Sequence, residues 1–435
     1  MRIAIVHDYL AQAGGAERVV EAIHEIFPEA PIYTSVYDAE ATFPSFKTMD
    51  IRTSFLQKWM RHHKIHKFAL PLYPAAFEHF DMSGYDVVLS NTTGFAKGVI
   101  TGPETCHICY CHTPARFAWR YHEYVTQGGY GKTAQQLLPL LIHRLRAWDY
   151  ASAQRVDHFV ANSYNIARRV QKYYGRSSEI LYPPVSANRF QVAERPAEDY
   201  MLVVSRLIGY KRVDLAIEAC SRLGIRLKVA GKGPDLPRLK QMAGPNVEFL
   251  GRVPDNEVAG LFANCRAFLF PGEEDFGIAP LEAMASGRPV IAYGAGGALE
   301  TVVDGVTGLH FPDATVESLI DAIRRLDHLK VDPVAIRAHA ETFDVSAFQK
   351  NLREIIDRSL AMHRTAYGRI SPGSGNASAA IRSVILSTGR SVSHNNSNGH
   401  HNDYITVGAP GSHLGNGGAA FGHGSGVTPD VDDEE

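Results

Sequence analysis

The sequence predicts an α/β protein: two Rossmann-like, doubly wound parallel-sheet domains face a cleft, and a disordered C-terminal tail follows. Three observations predict it. Short apolar, β-rich runs alternate with amphipathic helical stretches as far as about residue 365, the pattern of strands joined by crossover helices. A Pro-rich interval without periodicity, Tyr182-Pro183-Pro184 through Arg195-Pro196, cuts that alternation in two. Gly, Ser and Asn then make up 29 of the last 68 residues, with two aromatics and no Lys, Trp, Cys or Met. Such a segment buries too little apolar surface to offset its ordering entropy.

Taken in order, the strands of the first half are expected at 3–6, 86–90, 107–111, 158–161 and 179–181, with helices at 16–27, 134–154 and 164–174. The second half places strands at 201–205, 227–230, 247–250, 267–270 and 290–292. Its helices fall at 212–223, 256–263, 281–286 and 315–326. The domains are therefore expected at 1–185 and 200–345, with a linker at 186–199 and the tail at 366–435. Ligands of open parallel sheets sit beyond the carboxyl ends of the strands, so functional residues belong in the cleft-facing loops.

Composition narrows the function classes. A length of 435 residues suits two or three domains at ~150 residues each. The net charge of −2 excludes a nucleic-acid binder with a wholly basic surface and an acidic disordered solvator. The balance is local: residues 1–196 carry 21 basic and 17 acidic side chains (+4), residues 197–367 carry 20 and 23 (−3), and the tail carries 3 and 6 (−3). Five cysteines fit a reducing compartment. The start of the chain is too short of apolar residues for a signal core, and no run reaches the ~18–20 apolar residues of a spanning helix. A cytoplasmic location is expected.

Several loops carry chemistry. Gly14-Gly15 lies between the first strand and a helix, where backbone N–H groups either approach a phosphate or form an ordinary tight turn. Arg206 and Lys211 follow the first strand of the second domain and can converge on one diphosphate. Glu273-Glu274-Asp275 follows the apolar strand 268–270, and Phe276-Gly277-Ile278 then opens a helix with Pro280 in its first turn. First-turn N–H groups are free for a ligand's oxygens there. Glu274 and Glu282 can address different parts of one extended ligand. Gly294–Gly297 reads as a second close-approach loop or a plain connection. His112-Thr113-Pro114, with Arg116, should line the cleft, with a structural histidine as the alternative. The string Cys106 to His112 is rejected as a zinc site, because no second ligand cluster exists and a strand sends neighbouring residues to opposite faces. Residues 51–80 interleave five Lys/Arg (Lys58, Arg61 and Lys64 among them) and four histidines with Phe55, Trp59 and other apolar residues. That is either a membrane-surface segment or a half-buried helix with a solvated basic face.

On these motifs the sequence resembles the retaining nucleotide-sugar glycosyltransferases of family 4, or glycosyltransferase group 1. The resemblance rests on Glu274-x7-Glu282, Ser205-Arg206-Leu207 to Lys211, Gly14-Gly15-Ala16-Glu17 and Gly296-Gly297 to Glu300, and covers about 1–360. The first half looks like a bacterial branch with mannosyltransferases of O-antigen and exopolysaccharide assembly. The resemblance implies a GT-B architecture with the donor in the C-terminal domain and a last helix, about 345–362, crossing back to the first. It implies that Arg206, Lys211 and Gly14-Gly15 hold the diphosphate, that Glu282 holds the ribose, and that Arg252-Val253 borders the base. Glu274 and the N–H groups of Phe276, Gly277 and Ile278 would contact the sugar, with His112 near the reacting carbon. Glu17, Arg116, Lys58, Trp59, Arg61 and Lys64 are assigned to the acceptor or membrane side. The implied partners are a nucleotide-sugar donor, GDP-mannose, a polyprenyl-diphosphate-linked saccharide and the inner membrane surface, with no nucleic acid. No metal or other cofactor is expected: the one D-x-D is Asp430-Val431-Asp432, in the tail. The competing readings are a UDP-sugar donor, a nucleotide-sugar-binding protein without activity, and an NAD-dependent dehydrogenase. The last lacks the x-x-G of the dinucleotide fingerprint.

Overall fold

A computed structural model describes residues 1–59, 69–121, 132–193 and 198–367, with side chains in 132–137 excepted. The expected tail, Arg61, Lys64 and the Asp430–Asp432 motif lie outside the described residues. The first sheet contains β1 (Ile3–His7), β2 (Ile32–Thr34), β3 (Ile51–Thr53), β4 (Val87–Thr92), β5 (Cys106–Cys111), β6 (His158–Ala161) and β7 (Glu179–Ile180). The second contains β8 (Met201–Val204), β9 (Leu227–Ala230), β10 (Val247–Gly251), β11 (Ala267–Phe270), β12 (Val290–Tyr293) and β13 (Gly308–Phe311).

Their spatial orders are β3-β2-β1-β4-β5-β6-β7 and β10-β9-β8-β11-β12-β13. All the pairings are parallel. These are the two doubly wound sheets that the strand–helix alternation predicts. In each, the order reverses beside the first strand, between β1 and β4 and between β8 and β11. Loops diverge at such a switch point and leave a crevice. The sequence places its most distinctive motifs in those loops.

Local physics explains the elements. Every residue of β1, β4, β5 and β11 is buried, as expected of central parallel strands covered on both faces. The helix Gly15–Ile26 turns Glu17, Val19, Val20, Ala22 and Ile23 inward, a helical spacing that leaves Arg18, Glu21 and Glu25 on the more accessible face. It ends at Phe27-Pro28, where the proline cannot continue the ladder. The helix Tyr164–Tyr174 is capped by the Ser163 hydroxyl at one end and by Gly175 in the left-handed region at the other. The last helix, Val345–Tyr367, packs Phe348, Leu352, Ile355, Ile356 and Leu360 into the core under β1 and β5. Each such side chain contributes roughly 1.5–3 kcal/mol when fully buried, ample to hold a returning helix. Gln349 Nε2 adds a hydrogen bond to the Ala22 carbonyl, at 3.2 Å.

Some elements depart from expectation. β2 and β3 have three residues each, too few to show a period. β13 and the helices Tyr73–Glu78, Leu236–Met242 and Pro333–Glu341 are also additions. The helix expected at 281–286 starts earlier, at Ile278. The last helix runs to Tyr367, beyond the expected start of the tail.

Candidate functional site

The loop after β1 is pinned by Asp8. Its carboxylate accepts from Phe95 N at 2.7 Å, Ala96 N at 2.6 Å and Thr93 Oγ1 at 2.8 Å, which ties it to the loop after β4. The chain then enters the helix Gly15–Ile26 through Gly14, with extended backbone and no side-chain cap. A Cβ on Gly15 would stand 2.9 Å from Ile278 Cδ1 of the second domain. Ile278 opens the helix Ile278–Ala285, which is entered through Gly277 at φ 90°, again uncapped. A side chain there is strained, and its Cβ would fall 2.6 Å from Phe270 Cζ. Two uncapped helix N-termini, one from each domain, thus meet across the cleft. Both carry the partial positive charge of unpaired N–H groups, an arrangement that binds anions.

Cations stand beside them. Lys211 follows β8, and its Nζ pairs with the Glu274 carboxylate. The next residue, Arg212, holds a left-handed φ of 51°, a backbone cost tolerated mostly where geometry is constrained. Arg206 is exposed, and its charge acts on the part-buried Tyr9 of the first domain. Glu274 is also tied from behind: its carbonyl accepts from Gly297 N at 2.8 Å, and it bridges Gly296. The Gly294–Gly297 loop therefore packs against the 274–276 backbone. Phe276 is buried and stacks on Tyr182, ring centroids 5.5 Å apart.

Glu282, one helical turn further, lines a small cavity of about 140 Å³ with Arg18, Glu21, Val185, Arg189 and Ile278. Burial pushes its carboxyl up to about 7, against the pull of Arg189 and Arg18. Both arginines also pair with Asp255, at the start of the helix that follows Arg252 and Val253. Val253 is part-buried in that loop and Arg252 is exposed.

The three adjacent acids have separate tasks. Only Glu274 meets Lys211. Asp275 is buried and spans the domains to Arg116 and Arg169. Burial opposes its charge, and the two guanidiniums overcome that, holding its carboxyl below the usual range. Glu273 pairs with Arg169 at 3.3 Å and Arg120 at 3.8 Å. Glu300 reaches across as well, accepting from the backbone N–H groups of Tyr164 at 2.6 Å and Asn165 at 2.9 Å. A carboxylate at a helix N-terminus is favourable. Arg18, Arg169 and Asp255 escaped the motif reading because the contacts that give them meaning, Arg18–Asp255 and Arg169–Asp275, join residues over a hundred positions apart; Asp275 and Glu300 stood in the motifs, but their partners did not.

His112, just past β5, is 9% exposed. Its Nε2 lies 2.8 Å from Asn91 Oδ1. Burial, then the charge of His7, pushes its pKa down to about 4, so the ring is neutral. One expected position changes. Glu17, assigned to the acceptor side, is 1% exposed and turns inward to His7 and Gln12. It cannot touch a membrane surface. Arg116, assigned to the same side, is drawn to Asp275 and lies over the Tyr210 ring at 5.3 Å. Lys58 and Trp59 are exposed, Trp59 at 66%.

For metals, Cys106, Asp157 and His363 can bring ligand atoms within 4.8 Å of one another. They lie at the start of β5, away from the cleft, where His363 Nδ1 already faces Asp157 at 3.5 Å. Cys109 and Cys111 are buried in an apolar cluster. Among the described residues, no helix is long and apolar enough to cross a membrane.

The chain resembles known proteins in sequence and fold. A family model described as Glycosyltransferase Family 4 matches residues 13–189, and one described as Glycosyl transferases group 1 matches residues 185–342. The D-inositol 3-phosphate glycosyltransferases of Mycobacterium bovis and Mycobacterium tuberculosis are 28% identical over 265 residues. That match covers 54% of this chain, and the chain spans about half (54%) of the length of those relatives. Among solved structures, Anabaena HepE in complex with UDP superposes with a TM-score of 0.61 at 18% identity, covering 82% of this chain and 100% of that one. Sucrose-phosphate synthase from Thermosynechococcus elongatus gives 0.65 at 16% identity, covering 83% and 100%. These two likenesses are of fold.

Proposed function

The chain belongs to the group 1 glycosyltransferases of GT-B architecture, and on that premise we propose that it moves mannose from GDP-mannose to a polyprenyl-diphosphate-linked saccharide, with retention of configuration. The observation that carries the reading is the meeting of two uncapped helix N-termini beside Lys211 and Arg206. Breaking an anomeric C–O bond leaves negative charge on the departing diphosphate, and fixed positive groups aimed there stabilise the transition state. Arg206, Lys211 and the N–H groups after Gly14 and Gly277 supply them without a metal. The acceptor attacks the face that the diphosphate leaves, and its proton passes to a departing phosphate oxygen.

Binding requires rearrangement. A cavity of about 140 Å³ at Glu282 suits a ribose-sized fragment, whereas drug-sized ligands occupy ~300–1,000 Å³. The donor must therefore part Arg18 from Asp255 and draw Lys211 off Glu274, freeing Glu274 to accept from sugar hydroxyls. Glu282 then takes the ribose hydroxyls, and Val253 borders the base. On the acceptor side, an open cavity of about 930 Å³ lined by Tyr164, Arg168, Lys172 and Tyr173 flanks the cleft and suits an anionic saccharide. Exposed Lys58 and Trp59 support peripheral contact with an anionic membrane.

The donor sugar rests on the resemblance of the first half to bacterial mannosyltransferases. A UDP-sugar is the second reading, favoured by the UDP bound to HepE. Melting temperatures with GDP, UDP, ADP and their sugars separate them, since a ligand that binds only the folded state raises the transition by mass action. GDP should give the largest shift, and GDP-[¹⁴C]mannose should label a polyprenyl-linked acceptor. A shift with UDP alone refutes the GDP assignment, and nucleotide binding without transfer to any acceptor refutes the enzyme.

A further inference from the structure

Beneath the mouth of the cleft lies a hydrogen-bonded chain that no motif announced. Asn91 sits in β4 with its side chain buried. Its Nδ2 donates to the Ala16 carbonyl at 3.1 Å. A carbonyl oxygen only accepts, so the amide nitrogen must lie on that side and Oδ1 on the other. Oδ1 stands 2.8 Å from His112 Nε2 and likewise only accepts. His112 Nε2 must therefore carry the proton, which in a neutral ring leaves Nδ1 as the lone pair. Nδ1 has no protein partner among the described residues.

A second layer supports the first. His7 Nδ1 lies 3.0 Å from the Asn91 backbone oxygen, and its Nε2 lies 3.5 Å from Glu17 Oε1. His7 Nε2 thus faces the Glu17 carboxylate, whereas Nδ1 lies 3.0 Å from both an acceptor, the Asn91 backbone oxygen, and a donor, Asn91 Nδ2. The buried Glu17 accepts from Gln12 Nε2 at 3.1 Å, while its Oε2 has no partner. The charged and titratable groups facing His112 are thus His7 of β1, Glu17 of the first helix, Asp8 of the loop between them and Asp275 of the second domain. The Tyr110 ring meets it edge-on, centroids 5.1 Å apart.

We propose that Asn91 is a positioning residue, which holds His112 as the Nε2–H tautomer and so presents the Nδ1 lone pair to a hydroxyl of the bound sugar. The proposal rests on the placement of His112 near the reacting sugar. The opposite tautomer would set two acceptors against each other at 2.8 Å in a buried site. His112 therefore acts as a hydrogen-bond acceptor, and Asn91 acts on the reaction only through it.

Long-range ¹H–¹⁵N NMR of ¹⁵N-histidine-labelled protein tests the tautomer directly, with the His112 signals identified by their loss in His112→Gln. The wild type should show the Nε2–H pattern at pH 7. Asn91→Leu should show a tautomer mixture and a kcat lower by about 10–100-fold, with KM changed far less. In Asn91→Asp a carboxylate stabilises the imidazolium, so kcat should fall on acidification along a limb that the wild type lacks. An Nδ1–H ring or an imidazolium in the wild type at pH 7 overturns the proposal, as does Asn91→Asp without the acid limb. A tautomer change in Asn91→Leu with unchanged turnover removes His112 from the reaction and leaves the tautomer assignment standing. If the wild type transfers no sugar at all, the proposed function fails, and the NMR pattern still reads the tautomer.

Discussion

Two buried charge pairs in the first domain answer the same physical demand in opposite ways. Lys97 and Asp149 are 1% and 0% exposed. Lys97 Nζ also donates to the Gly94 carbonyl at 2.7 Å, and Asp149 Oδ2 accepts from Trp119 Nε1 at 2.7 Å and Tyr174 Oη at 2.8 Å. The pair locks the turn at 96–98 to the helices Lys132–Gln154 and Tyr164–Tyr174. His7 and Glu17 are as deeply buried, yet they stand 3.5 Å apart and one carboxylate oxygen has no partner. Leaving a buried polar atom unmade is expensive, so satisfaction separates a structural pair from one kept beside a reaction. The first pair braces the loop after β4 from behind, and the second underlies the helix start that meets Ile278. Lys211 and Glu274 form a third kind, part-exposed, and the proposed function has a ligand part them.

The largest effect tests the satisfied pair. Asp149→Ala leaves Lys97 buried without a counter-charge and should cost about 3–5 kcal/mol in denaturant unfolding. Nucleotide affinity of the folded fraction should be unchanged. A loss below about 1 kcal/mol would break the contrast. The pair at the cleft should behave in reverse: Glu274→Ala should lower kcat by about a hundredfold or more with the melting temperature held. Near-normal turnover would remove Glu274 from the site.

Two smaller effects depend on pH. Burial raises the Glu282 carboxyl to about 7, so in the proposed ribose-binding role it must ionise to accept from both hydroxyls. GDP affinity measured by calorimetry should then weaken by up to about tenfold per pH unit below 7. Glu282→Gln should flatten that slope, and a wild-type affinity level from pH 6 to 8 would contradict the role. For the unsatisfied pair, burial opposes the His7 charge, but the Glu17 hydrogen bond, Glu17's charge and that of Asp8 raise the pKa above the ordinary 6.5. A raised histidine contributes stability that is full below its unfolded pKa and lost as pH rises through its folded one. Glu17→Gln should therefore be less stable than the wild type at pH 5.5, by about 1 kcal/mol, with the gap closing toward pH 8. A gap that widens with pH would show that His7 is not the charged partner.

The fold was legible because its central strands are apolar runs separated by long helices. The motifs at the switch points were legible because charge and glycine cluster there in short stretches: Arg206 to Lys211, and Glu273 to Ile278. What escaped were residues whose meaning lies in a distant partner. Asn91 is an ordinary strand residue until Ala16 and His112 close on it, and Asp275 looked like one of three equivalent carboxylates until Arg116 and Arg169 claimed it. Glu17 misled because its place in a Gly-Gly-Ala-Glu motif said nothing of the inward turn toward His7. β2 and β3 escaped because three residues cannot display a period of two.

In the proposed transferase, Arg206, Lys211 and two helix N-termini hold the diphosphate with no metal between. Titrating GDP into the wild type and Lys211→Ala, each with EDTA and again with Mg²⁺, tests it most directly. Wild-type affinity should be equal in both buffers, and Lys211→Ala should lose about tenfold or more. Wild-type binding that disappears in EDTA, or a Lys211→Ala protein that binds as tightly as the wild type, would contradict it.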